Sequence, residues 1–445
     1  MDTKLNRRRF VTNSVGLVAA GSLGANSSQG ARQEQKSEAQ DKQGSHHKAW
    51  KSLGPDDFVP VIDPGQGWVN KKLLNHGACF PPGGAKDYGA KIEMISCLQP
   101  ASGSALHYGL SGNDRSRRAA VAGLAFWEKY RHIKSDPLPC PELGPEGRIN
   151  QECGGISLAR RTNALFLMAE ALEKPNLLDW VRDHLRWWID VVGYDEKNHA
   201  FPNHVDHEGK DLHGGSYVYN MQAGMAVTLW RIGERYGIEE YKQIGEDMLR
   251  ERIFPMQFED GYWNYNDKRD APNPNETPKE SRQENYQLLT LLKLTYLLAY
   301  PRWANDPALK QVMVRGCKYA QSQIDPMGCV PSIPNLQSLW EGSKQHAKFL
   351  GQSSAFASVG LARVGLAYDR PEFIEDASRV VNWWFHNRPV LYPFFDSGNP
   401  FIGLRHQVTG DHGYGLSARY ALVLAWEGWH IRRKNAWTVE LTRQA

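Results

Sequence analysis

Long Lys/Arg-rich tracts, Cys-x-x-Cys pairs and late apolar runs long enough to cross a bilayer are all missing from this 445-residue sequence once its first ten residues are passed. The first absence argues against a nucleic-acid partner, which needs a basic stripe to displace condensed counterions. The second disfavours a zinc knuckle. The third leaves no membrane span beyond the N-terminal leader. Charge of one sign is scarce too: 53 Lys and Arg stand against 49 Asp and Glu, a net charge of +4. That excess is compatible with an anionic ligand held by a few cationic side chains. Cysteine is sparse, at Cys79, Cys97, Cys140, Cys153, Cys317 and Cys329. An even count permits disulfides in an exported protein, with Cys140–Cys153 the first pair to test, but folding before export would leave most as buried thiols.

Tryptophan is abundant, with fifteen residues. Its first use is core packing. Its second is stacking on sugar rings, since its face is apolar and its edge donates a hydrogen bond. The N-terminus carries Arg7-Arg8-Arg9-Phe10, then a soft apolar stretch to Ala25. A basic head, a run too short to span a bilayer and small residues behind it make a signal peptide, here of twin-arginine form. Residues 1–25 are therefore expected to be a leader and residues 26–48, polar and low in complexity, a disordered linker. One domain is expected over 49–445, periplasmic or secreted, with no membrane contact after leader removal.

The body of the chain repeats. Five segments rich in small residues and Leu have helical spacing: 156–172, 217–235, 284–299, 352–367 and 414–430, with starts 61, 67, 68 and 62 residues apart. A short link follows each of the first four, and then an amphipathic helix over 176–192, 239–254, 306–322 and 371–387. A further helix over 116–132 precedes the series. Small-residue helices can pack on every side and belong in an inner ring; helices with one wet face belong outside. The expected fold is all-α, an (α/α) toroid of five to seven helical hairpins. The connections back to the inner ring are long: 133–155, 193–216, 255–283, 323–351 and 388–413. Loops of that length are usually functional. In a toroid they gather at one face, where inner-helix N-termini aim unpaired N–H groups and positive dipole ends at a shared cleft suited to anions.

Those loops hold the candidate site. The second contains His199, His204, His207 and His213 among Asp206, Glu208 and Asp211. His213 is best placed there as a base or carboxylate-binding group; a metal set of His204, His207 and Asp206 and a plain polar surface loop are the competing readings. Arg282, Glu284 and Tyr286 fall within one turn at the next helix start, and Arg405, His406, Asp411, His412 and Tyr414 at the last. Gln151, Glu152, Lys344 and His346 hold similar places in other loops, and Trp263 and Trp340 are the loop aromatics suited to stacking.

Such clusters fit β-elimination of a uronic-acid polymer. A neutralised carboxylate acidifies the C5 proton, a base removes it, and an acid protonates the leaving oxygen; no cofactor is required. The layout resembles the (α/α)-toroid polysaccharide lyases, such as alginate and glucuronan lyases. In the alginate enzymes an Asn-Asn-His-Ser-Tyr-Trp stretch opens one inner helix, and an Arg followed by Asn-Tyr-Ala-Leu opens the next. Here the places read His213-Gly214-Gly215-Ser216-Tyr217-Val218 and Arg282-Gln283-Glu284-Asn285-Tyr286-Gln287-Leu288, so Ser-Tyr and Asn-Tyr-x-Leu match. The resemblance implies a lyase acting on an acidic polysaccharide, with Tyr286 catalytic and Arg282 neutralising or subsite-forming. Two glycines replace the Asn-His pair, which leaves His213, Asn220 or Glu284 to neutralise the carboxylate. His412 joins the catalytic candidates, and Asn220, Tyr217, His204, Trp263, Arg405, Tyr414 and His346 the substrate-binding ones. The alternative is an inverting glycoside hydrolase on the same toroid, drawing two carboxylates from Asp206, Asp211, Asp260, Glu284, Asp396 and Asp411. A non-catalytic glycan binder is the third reading.

Overall fold

The structure is a computed structural model that describes residues 67, 70–77, 94–131, 152–154, 162, 164–169, 171–206, 208–212, 216–264, 266–268, 288–326, 328, 330 and 347–380. All belong to one compact unit, Leu53–Ala445. Among them lie five helical hairpins. A first helix, α1 (70–76), precedes the pair α2 (Met94–Ser111) and α3 (Asp114–Arg131). Then come α4 (164–169) with α5 (Leu177–Trp187), α6 (Tyr219–Tyr236) with α7 (Glu239–Asp247), α8 (Leu288–Thr295) with α9 (Pro307–Ser322), and α10 (Ala347–Ala367) with α11 (371–380). Both α5 and α7 continue into a wider π turn, Trp188–Val192 and Met248–Ile253. The expected helix at 414–430 lies outside the described residues.

The division into inner and outer helices follows the sequence pattern. Every residue of α8 is buried, as are the first fifteen of α6. By contrast α5 buries one stripe, Leu177, Leu178, Val181, His184, Leu185 and Trp187. Inner helices neighbour one another in chain order, α6 against α8 and α8 against α10, while α9 covers both α8 and α10. This is the (α/α)-toroid arrangement. No helix among the described residues is long and apolar enough to cross a membrane.

Three inner-to-outer turns share one device. Glu173, Gly237 and Asp369 sit with φ of +55°, +67° and +51°. The next N–H in each case donates five residues back: Lys174 to Ala169, Ile238 to Gly233, and Arg370 to Gly365. A left-handed residue with a six-to-one bond closes a helix by satisfying its orphan carbonyls. At Gly233 and Gly365 an added Cβ would lie 2.8 and 3.0 Å from the carbonyl oxygens of Ile238 and Arg370, so glycine lets the turn fold tightly back.

The third link differs and ends on a cap. Asp306 precedes Pro307, and its Oδ1 accepts from the Leu309 N–H at 2.8 Å while its Oδ2 accepts from Arg250 Nη2 at 2.6 Å. Burial alone would raise the Asp306 carboxyl, but the Arg250 guanidinium and the Leu309 N–H outweigh it and hold it below the ordinary value. Asp306→Ala is expected to cost about 1–2 kcal/mol at neutral pH in a urea titration. Because the folded-state value is the lower one, the contribution is complete above the unfolded carboxylate range. It is lost as pH falls through the folded value, so wild type and variant should converge only below that value, at more acid pH than the unfolded carboxylate range.

Four tryptophans, Trp188, Trp230, Trp263 and Trp303, are among the largest fully buried side chains. Trp230 meets Trp303 edge-on at 5.7 Å and Tyr300 at 4.8 Å, which ties α6 to the link before α9. Cys317 is a free, buried thiol, as expected, and burial pushes its pKa well up. The pairing of Cys140 with Cys153 lies outside the described residues.

Candidate functional site

The long loops are not wholly irregular. Glu152–Gly154 (β1) pairs antiparallel with His204–Asp206 (β2), and Ser216–Val218 (β3) pairs antiparallel with Asn266–Lys268 (β4). These short ladders stitch the loop at 133–155 to that at 193–216, and the latter to that at 255–283. β3 runs straight into the first residue of α6. Three successive loops are thereby joined at the inner-helix N-terminal side, as the toroid reading requires.

Within the first ladder, Glu152 lies opposite Asp206, Cys153 opposite Val205, and Gly154 opposite His204. Alternation puts His204 and Asp206 on one face of β2 and Val205 on the other. Val205 is fully buried, while His204 and Asp206 are half-buried. The outward face thus presents Asp206 and His204, with glycine at the position across from the imidazole. Asp206 is fixed by its own turn: its Oδ1 accepts from the N–H groups of Glu208 and Lys210, both at 2.9 Å, and Gly209 N–H donates to its carbonyl oxygen. Leu212 N–H returns to the His204 carbonyl oxygen at 2.9 Å.

The start of α6 is built from buried polar groups. Asn203 Oδ1 accepts from Val218 N–H at 3.0 Å and from Gln222 Nε2 at 3.3 Å. Gln222 also clasps the Phe201 backbone from both sides, accepting from its N–H and donating to its carbonyl oxygen. These bonds hold the end of the second loop against the helix start. Asn220 lies between them and differs: it is 1 % exposed, and neither Oδ1 nor Nδ2 has a hydrogen-bond partner. An unpaired buried amide costs about 1–3 kcal/mol. Asn220→Ala is therefore expected to leave the urea midpoint unchanged or raise it. Asn203→Ala, which strands Val218 N–H and Gln222, should lower stability by about 1–3 kcal/mol. Equal losses in the two variants would mean that Asn220 has a structural partner after all.

The expected site residues divide three ways. Tyr286, His213, Arg282, Glu284, His412, Arg405, Tyr414 and His346 lie outside the described residues, as do His207, Trp340, Asp396 and Asp411. His204 is half-buried on β2, and Asn220 is buried in the first turn of α6. Tyr217 and Trp263 are corrections. Tyr217 is fully buried, its hydroxyl donating to Asp195 Oδ2 at 2.9 Å and its ring 4.2 Å from the Arg252 guanidinium carbon. Trp263 is 2 % exposed and its Nε1 donates to the Ile253 carbonyl oxygen at 3.0 Å. A ring closed in this way has no free face for a guest. Asn203, Gln222, Asp195 and Arg252 form the supporting frame, and sequence reasoning missed all four. Arg252 carries no signal, since an arginine in an amphipathic outer helix reads as a wet residue. Here it is buried, its Nη1 donating to the Asn198 carbonyl oxygen at 2.8 Å.

No family model matches the chain, and no curated protein matches it. Solved structures do. A possible member of the GH105 family from Salmonella enterica superposes with a TM-score of 0.58 at 13 % identity, over 86 % of this chain and 96 % of that one. The unsaturated glucuronyl hydrolase of Bacillus sp. GL1, described as responsible for glycosaminoglycan degradation, gives 0.58 at 13 %, over 84 % and 96 %. Cellobiose 2-epimerase from Bacillus thermoamylovorans gives 0.57 at 12 %, over 76 % and 88 %. The (α/α)-toroid fold is therefore shared over nearly the whole of those chains. None of these three is a lyase, so the likeness reaches the toroid and stops short of the lyase assignment.

Proposed function

We propose that this chain is a glycoside hydrolase of the (α/α)-toroid type, acting on an oligosaccharide that carries an acidic sugar. The observation that carries the reading is the register placing Glu152 opposite Asp206 at the inner-helix N-terminal side. Directly opposed positions of an antiparallel ladder belong to one face of it, and glycoside hydrolysis calls for two carboxyl residues on one side of a cleft. One gives a proton to the glycosidic oxygen while the other activates water or attacks. His204 shares the Asp206 face and is placed to bind a sugar hydroxyl or carboxylate. Asn220, buried in the first turn of α6, has an amide without a hydrogen-bond partner. The hydrolases among the structural neighbours add support, one being named for an unsaturated glucuronyl substrate. A uronate is favoured over a neutral sugar by the loop imidazoles, the positive helix ends and the mild cationic excess.

The test is product chemistry. Oligosaccharides ending in a saturated uronate, an unsaturated uronate or a neutral sugar are incubated with the full chain and the products weighed. Hydrolysis adds one water per bond cut and frees a new reducing end. Elimination adds none and leaves a double bond on one product, which would return the reaction to the lyase class. Turnover of neutral sugars alone would remove the acidic substrate, and no turnover at all would sink the proposal.

A further inference from the structure

A basic patch forms at the end of the ring opposite the loops, from two helix starts that lie 46 residues apart in the chain. Residues 100–105 of α2 are buried in succession, while α3 keeps one wet face. The Gly112-Asn113 link between them is therefore an inner-to-outer turn, and the start of α3 lies away from β1–β4. α1 runs parallel to α3: Asn70 Nδ2 donates to Ser116 Oγ at 2.8 Å, and Gly77 lies against the Phe126 side chain. These contacts set the two starts side by side. Asn70 and Ser116 are buried, but Lys71 after Asn70, Arg115 and Arg117 on either side of Ser116, and Arg118 are all exposed. Arg117 is exposed although its guanidinium carbon lies 5.9 Å from the Tyr108 ring centroid.

The patch runs against what a helix start prefers. Asn113 caps α3, its Oδ1 accepting from the N–H groups of Arg115 at 3.0 Å and Ser116 at 3.2 Å. Asp114 in the first turn suits the positive dipole end, and the arginines that follow are repelled by it. Other outer helices keep to acids there: α5 has Asp179, α7 has Glu239 and Glu240, and Asp306 caps α9. Residues 70–77 and 112–121 together hold Lys71, Lys72 and three arginines against the single carboxylate of Asp114. Cations held where the helix disfavours them point to a partner outside the fold.

We infer that Lys71, Arg115, Arg117 and Arg118 form a docking surface for an acidic polysaccharide chain, remote from the loop face. Guanidinium forks bind carboxylate and sulfate groups in pairs, and several together suit a polymer whose charge repeats. Leu74 and Val121, one turn further along α1 and α3, are 39 % and 37 % exposed, too little apolar surface to wedge into a bilayer. The choice of polymer rests on the acidic-sugar reading proposed above. A second hold on a long chain raises the effective concentration of its bonds at the loops.

Polygalacturonate and heparin are the probes, immobilised on a sensor surface, with dextran as the neutral polymer and vesicles rich in anionic lipid as the competing surface. The full chain should bind both acidic polymers but not dextran, and should lose affinity between about 50 and 300 mM salt. Arg115→Gln, Arg117→Gln and Arg118→Gln combined should raise Kd about tenfold or more and flatten that salt dependence. The melting temperature of that variant should be unchanged or higher, since the clash with the dipole is gone. Should it not fold, Lys71→Gln and Arg118→Gln as single variants carry the comparison, each with a part of the loss. Lys174→Gln, Lys310→Gln and Lys318→Gln combined remove the same charge from exposed places elsewhere and should bind as wild type does. Equal losses in the two triple variants, or dextran bound as tightly as the acidic polymers, would overturn the surface. So would vesicle binding that exceeds polymer binding and falls with the same arginines. The readout needs no turnover, so failure here leaves the hydrolase proposal standing, and a chain that cleaves nothing can show this binding.

Discussion

Asp206→Asn is expected to lower kcat by about a thousandfold while leaving the melting temperature within a degree or two of wild type. The substitution is chosen for what it keeps. Asparagine retains an oxygen at Oδ1, so the acceptor for Glu208 and Lys210 N–H survives and the turn that orders β2 stays closed. What disappears is the negative charge and the capacity to take up a proton, and only the hydrolase reading needs either. Glu152→Gln should cause a loss of similar order, since its partner cannot serve as acid and base at once. Residues acting as a unit lose activity non-additively. The double variant should therefore fall little below the worse single one. Asp206→Asn retaining a tenth or more of wild-type turnover would remove Asp206 from the chemistry. A large loss accompanied by collapse of thermal stability would reassign it to the turn.

The fold was written in the sequence mainly as spacing. Helices rich in small residues and Leu recurring at 61 to 68 residues marked the inner ring, because a mainly apolar helix can be enclosed on every side. Pro307 after Asp306 marked the start of α9, since a first-turn proline sacrifices no helix bond. Met94–Ser111 escaped notice, and Pro100 within it is the reason: an internal proline reads as a break, yet the helix passes through it. Its stretch Ala101-Ser102-Gly103-Ser104-Ala105 is buried, and Ser104 and Ser116 of α3 meet through Asn70 at 3.0 and 2.8 Å. The four strands were invisible because three residues are too few to establish alternation. Their pairing is a tertiary fact, and with it the juxtaposition of Glu152 and Asp206. Tyr217 and Trp263 were misplaced because a loop aromatic looks the same in sequence whether it faces a guest or plugs the core.

Gly261→Ala is expected to destabilise the chain by at least about 3 kcal/mol, the largest single-methyl effect among the described glycines. Gly261 has φ of +94°, and an added Cβ would lie 2.0 Å from the Arg315 carbonyl oxygen and 2.4 Å from its carbon. Both are backbone atoms of α9, held by its hydrogen bonds, so neither can yield cheaply. The contact matters because it begins a stack that runs to the centre of the ring. Beyond Gly261, Gly316 of α9 meets Leu291 of α8, whose other methyl meets Gly360 of α10, at 3.1 and 3.0 Å from the Cβ positions those glycines lack. Gln257 binds the layers together by donating from one Nε2 to the carbonyl oxygens of both Gly261 and Val312. Displacing the loop at Gly261 would also lift Tyr262 and Trp263, the next two residues and both buried. Gly112→Ala is the control: it shares a left-handed φ of +69° but has nothing within 4 Å of the added carbon, so it should cost only about 1–2 kcal/mol. Urea titrations of the two variants separate backbone strain from collision. Equal losses would show that the close approach of loop to helix is not what glycine protects at 261.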